Sequence, residues 1–175
     1  MVILRATQKL LRTLPHFADE LGVSGNALGD WYANRVVVDR HPLLLLVSSK
    51  SLLAILTPAR DVKTLPDRLA QIVGDRLRRL QISEAIVAFE VEATALVRVG
   101  KTMDRSVTGQ LVDFAKALPY YLSVEGWNDA ALRAAEDRLA KTPCRATRPL
   151  AEVIWPREAA VQLLEATWPR STTRH

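Results

Sequence analysis

A single cysteine, Cys144, stands in the 175 residues, so no intramolecular disulfide can form and a reducing cytoplasm is the compartment that fits. The three histidines, His16, His41 and His175, show no zinc-binding spacing: CxxC, HExxH and HxE are all missing. No Asp-x-Asp pair speaks for magnesium. We therefore expect neither metal nor cofactor. Nowhere do more than nine residues pass without a charged side chain, as in 41–49 and 51–59. A membrane span needs about 20 apolar residues, and none is expected. The start, MVILRATQKLLRTL, interleaves Arg and Lys with Leu, unlike a secretory leader. Glycine is scarce, and the one cluster, GVSGNALG at 22–29, precedes a strand and lacks the lysine of a phosphate loop. No GxSxG elbow is present.

The composition that remains, 49% hydrophobic and 25% charged, is that of a globular chain able to bury a core as one domain over 1–175. Net charge is +5 and the pI about 9.7. Of the 24 basic residues, 18 are arginine. The excess is spread, +4 over residues 1–88 and +1 over 89–175, so a polyanionic partner is permitted without being demanded.

The pattern of apolar residues predicts an α+β fold: a small, mainly antiparallel sheet centred on a 31–39/43–48 hairpin, with helices packed on it. Arg40-His41-Pro42 reads as the turn, and Leu43–Ser48, apolar on both sides, as a central strand. Val2–Arg5 and Leu96–Val99 read as further strands. A Ser49 or Ser51 start predicts a short helix through Leu56, with a brief strand over 59–63. Pro66 opens a helix whose Leu69, Ile72, Val73, Leu77 and Leu80 form one apolar stripe. Further helices are expected from Ser83 to Thr94, from a Ser106 cap to Pro119, from Asn128 to Ala140 and from Pro156 to Ala166. Any boundary should fall near 123–127, ahead of a helical C-terminal part at about 128–168, and the tail PRSTTRH should fray.

Two polar stretches are the candidates for a site. In LGDWYANRVVVDR they are Trp31, Tyr32, Asn34, Asp39 and Arg40, which either line a pocket or finish the ends of a hairpin. In KTMDRSVTGQLVDF they are Arg105, Ser106, Gly109 and Asp113. A helix start with an arginine beside it can receive an anion. A glycine inside a helix costs roughly 1 kcal/mol relative to alanine, so close approach of another element or of a ligand is expected at Gly109. Arg76 and Arg79 share a face of the helix opened by Pro66, either as a solvated, ion-paired side or as a basic surface. Cys144 reads as a small half-buried apolar residue rather than a reactive thiol.

These stretches, with ILRATQKLL at the start, resemble an uncharacterised bacterial family known as a domain of unknown function, over about residues 1–122. Its members are similar to open reading frames of plasmids and other mobile elements. The resemblance implies that both stretches belong to one domain, and it carries no activity. The leading expectation is a non-enzymatic binding or regulatory module with a protein or nucleic-acid partner, touching it through Arg76, Arg79, Arg105 and Trp31. The rival is an enzyme acting on a phosphorylated or carboxylated substrate, with Arg105 holding the anion and Asp39 or Asp113 as base. A third expectation, from the resemblance alone, is an accessory protein of a toxin–antitoxin or defence locus.

Overall fold

The computed structural model describes residues 1–15, 18, 20–122, 127–145 and 153–168. Position 16, the tail and residues 123–126 of the expected boundary lie outside them.

The fold is α+β, as the apolar pattern predicts. Five strands form a mixed sheet: β1 (Val2–Ala6), β2 (Trp31–Val38), β3 (His41–Ser48), β4 (Ala54–Pro58) and β5 (Val97–Lys101), in the order β4-β3-β2-β1-β5. The β2–β3–β4 part is antiparallel, whereas β1 runs parallel to both its neighbours. A short helix, α1 (Gln8–Leu11), lies in the β1–β2 crossover.

Because the sheet is covered on both sides, the interior strand β3, expected as the central one and found next to the edge strand β4, has apolar residues in both directions. Leu44 and Leu46 enter one core with Leu4, Trp31, Ala33 and the stripe of α2 (Leu65–Arg79). Leu45 and Val47 enter the other with Tyr32 and the inner sides of α4 (Arg105–Leu122) and α5 (Asp129–Ala140). Helices α3 (Glu84–Thr94) and α6 (Pro156–Thr167) complete the first side. A two-stranded ribbon, β6 (Cys144–Arg145) with β7 (Val153–Ile154), joins α5 to α6. No helix among the described residues is long and apolar enough to cross a membrane.

Several local expectations are corrected. The hairpin turn is Asp39-Arg40, with φ of 46° and 69°, and His41 and Pro42 already belong to β3. Positive φ at both positions of a two-residue loop matches the twist of the flanking strands. No helix forms after Ser49. The Ser48 hydroxyl accepts the Ser51 N–H, Leu52 adopts φ 60°, and the chain reverses into β4. The run from Leu52 to Leu56 feeds both cores alternately, a period too short to tell from a helical one by sequence. Residues Val62–Thr64 form a 3-10 turn rather than a strand. Pro119 lies inside α4, on its exposed side, where only the last turn follows it.

Two buried carboxylates tie the layers together. Glu90 of α3 accepts from Asn26 Nδ2, from the Ala27 and Leu28 amides and from the Trp168 indole, at 2.7–3.1 Å. Glu136 of α5 reaches over the sheet margin to the Leu56 amide of β4 (2.8 Å) and pairs with Arg79 (2.8 Å) and Arg76 (3.6 Å). Arg76 also pairs with Asp137 at 2.8 Å. Burial pushes the Glu136 carboxyl up, against the pull of Arg76, the Leu56 amide and Arg79. The expected basic surface is thereby corrected: Arg76 is fully buried and Arg79 is held by Glu136.

Glu136→Ala should therefore cost about 3 kcal/mol or more in urea unfolding, since it strands buried guanidinium charge and an edge amide. Arg40→Gly should instead stabilise by about 0.5–1 kcal/mol, because it relieves a left-handed non-glycine position and creates the Asp-Gly pair that such turns favour.

Candidate functional site

The residues that matter are placed by the ends of β1, β2 and β5 on the α4 side of the sheet. Along β1, Ile3 and Arg5 face the side opposite Leu4 and Ala6. Arg5 is therefore carried to the level of Tyr32 on β2 and Gly100 on β5. Its Nε donates to Asp30 Oδ2 at 2.5 Å and its Nη1 to the Lys101 carbonyl at 3.1 Å. Ser24 donates to the other Asp30 oxygen at 2.6 Å. Gly29 makes the approach to Asp30 possible. It has φ +77°, and a Cβ there would lie 2.5 Å from Ser49 Oγ and 2.9 Å from Lys50 Cγ.

The two polar stretches meet here. The Tyr32 hydroxyl accepts the Asp104 N–H at 3.1 Å, directly before α4. Asp104, not Ser106, caps that helix: its Oδ1 accepts the Ser106 and Val107 amides at 2.8 and 3.4 Å. Between the stretches lies a cavity of about 490 Å³, lined by Arg5, Ser24, Asp30, Tyr32, Lys50 and Asp104 among others.

On the neighbouring side of α4, Arg105, Ser106, Gly109 and Asp113 line a groove of about 480 Å³ with Tyr121, Cys144 and Arg145. The four expected residues of the second stretch are thus brought together. Those of the first stretch are not. Tyr32 lines the cavity, but Trp31 is fully buried in the opposite core and offers no contact surface. Asn34 accepts from Thr7 Oγ1 at 3.0 Å beside β1. Asp39 and Arg40 sit at the hairpin tip, one strand length (roughly 25 Å) from the Tyr32 end. Arg105 and Asp113 share the groove, whereas Asp39 and Arg40 line neither it nor the cavity.

Arg5, Ser24, Asp30, Lys50 and Asp104 were not singled out by sequence. Arg5 lies in an apolar strand, and Lys50 in a segment that reads as a helix start. Only Asp30 and Asp104 carried a signal, since each lies within a highlighted stretch.

The expectation of close packing at Gly109 is corrected as well: among the described residues, nothing lies within 4 Å of a Cβ built there. Cys144 is buried, and its Sγ donates to the Thr142 carbonyl at 3.3 Å. Burial, helped by the Asp113 carboxylate, pushes the thiol up to about 11. A thiol held protonated at neutral pH is a poor nucleophile.

A family model described as Domain of unknown function (DUF6933) matches residues 3–159, which takes in both the cavity and the groove. The match extends past the residue-122 limit of the resemblance. No curated protein and no solved structure matches the chain.

Gly109→Ala should raise stability by about 0.5–1 kcal/mol, read as a higher Tm, because a methyl group meets open space. Iodoacetamide should leave Cys144 unmodified at pH 8 and label it increasingly toward pH 11. The unfolded thiol ionises first, near 9, so the same burial makes the fold lose stability as pH rises from about 9 to 11.

Proposed function

This chain belongs to the family Domain of unknown function (DUF6933), and we propose that it is a non-catalytic binding module whose partner is a protein. The partner docks across the start and outer side of α4. The observation that carries this reading is Gly109. A helix tolerates an interior glycine at a cost of roughly 1 kcal/mol, and no element among the described residues uses the space it leaves. The remaining use for a missing side chain is approach of another molecule to the helix backbone. The groove beside it has the make-up of a docking surface: an apolar floor of Phe114, Ala117, Leu139 and Pro143, and a rim of Arg105, Gln110, Asp113 and Arg145. Val112 adds an exposed apolar side chain on the same helix.

Catalysis has less to stand on. The thiol in the groove is held protonated, and Asp39 lies at the far end of the hairpin from Arg105. A nucleic-acid partner loses the basic strip on α2, because Arg76 and Arg79 are spent on Glu136 and Asp137 inside the molecule.

The test is a photo-crosslinking residue placed at Gly109 and, as a control, at exposed Gln71 on α2, in the full chain expressed in its native host. Capture of a discrete protein from position 109 only, unchanged by nuclease, is the expected result. Equal capture at both positions, none at all, or loss on nuclease treatment would overturn the reading.

A further inference from the structure

The cavity between the two stretches contains groups whose hydrogen-bonding capacity the fold leaves partly unused, and an inventory of them points to a ligand class. Asp30 is taken: one oxygen accepts from Ser24 and the other from Arg5. Asp104 Oδ1 is taken by two backbone amides of α4, and its Oδ2 accepts from no described residue. The donors are less fully used. Arg5 spends Nε on Asp30 and Nη1 on the Lys101 carbonyl, which leaves Nη2 without a partner among the described residues. The Tyr32 hydroxyl accepts from the Asp104 amide, and its own proton meets no acceptor among the described residues. Ser49 and the exposed Lys50, beside Gly29 in the lining, have no side-chain hydrogen bond or ion pair among the described residues. Arg5 and Tyr32 are 7% and 3% exposed, so the fold holds both side chains in place beneath an open cleft.

We infer that this cavity binds a singly charged carboxylate group through Arg5 Nη2, the Tyr32 hydroxyl and the Lys50 ammonium. A planar acceptor with two oxygens suits a guanidinium edge and a hydroxyl side by side. The charge balance of the lining decides between anions. Two cations, Arg5 and Lys50, face two carboxylates, Asp30 and Asp104. One added negative charge is tolerated beside two cations, whereas a phosphate dianion would meet two fixed carboxylates. The volume of about 490 Å³ exceeds a bare carboxylate, so the group arrives on a larger body, either a small organic acid or the end of a peptide chain. The inference rests on the binding-module reading and adds to it what the pocket beside the docking helix takes.

The test is titration of the ¹⁵N-labelled full chain with N-acetyl-Ala-Ala as free acid, its C-terminal amide, acetate, succinate and inorganic phosphate. Expected are saturable shifts at Tyr32, Lys50, Met103 and Asp104 with the free acid and at least tenfold weaker binding of the amide. Lys50→Gln should weaken the acid at least fivefold, while Lys116→Gln, exposed on α4 away from the cavity, changes nothing. Tyr32→Phe should weaken it similarly, with its Tm recorded to separate lost binding from lost fold. Acid and peptide amide binding alike, phosphate binding tighter than every carboxylate, or shifts confined to the Gly109 groove would each overturn the assignment. Tighter binding of the peptide acid than of acetate or succinate identifies a chain end as the source; the reverse identifies a small organic acid. If no carboxylate titrates while crosslinking from position 109 still captures a protein, the ligand class falls and the binding-module reading stands.

Discussion

The placement of the site depends on one buried carboxylate. Glu90 sits in α3, outside the sheet, yet its four donors come from residues 26–28 and from the end of α6. Bare carboxylate burial is costly, and four charge-assisted hydrogen bonds offset it. With Ala27 and Leu28 pinned by their backbone amides, Gly29 has to turn with positive φ, and Asp30 emerges beside Arg5. The Arg5–Asp30 pair then fixes the guanidinium, and the register of β1 against β2 aligns it with Tyr32. Each step follows from the one before, which is why an irregular crossover can present a polar pocket over the middle of a sheet.

The sheet itself contributes the asymmetry. β1 is parallel to both neighbours, and the chain leaves its end by α1 on one side, whereas β5 leaves by α4 on the other. Such departures to opposite sides open a crevice at the strand ends, and α/β proteins place ligands there repeatedly. Here α4 starts at that opening and lies along β2 and β3, and the cavity and the groove flank its first turns.

Much of the architecture was legible in the sequence and rather less of the site. The α2 stripe, the Asn128 cap, whose Oδ1 accepts the Ala131 amide at 2.8 Å, and the continuous apolar β3 were readable because period and cap chemistry are local. β4 was not, since five alternating residues behind a serine turn carry too few periods to decide. Arg76 shows the limit most clearly. On a helical wheel it falls within the apolar stripe, between Ile72 and Leu80, so its inward direction was readable, but its partners Glu136 and Asp137 on α5 were not. Arg5 is similar: its role comes from Asp30 and Lys101, 25 and 96 residues away. Tyr32 was legible as a residue, but its partner Asp104 was overshadowed by the neighbouring serine.

The Glu136–Leu56 bond has a consequence for self-association. An outermost strand with open amides is a template on which a foreign strand can grow, the first step of fibre formation. At one margin of the sheet the Leu56 amide is already occupied by the Glu136 side chain, and at the other the Val99 carbonyl is occupied by the Ala18 amide. Both flanks are blunted by the chain's own groups. One edge group on each side is thereby withheld from a strand arriving from another copy.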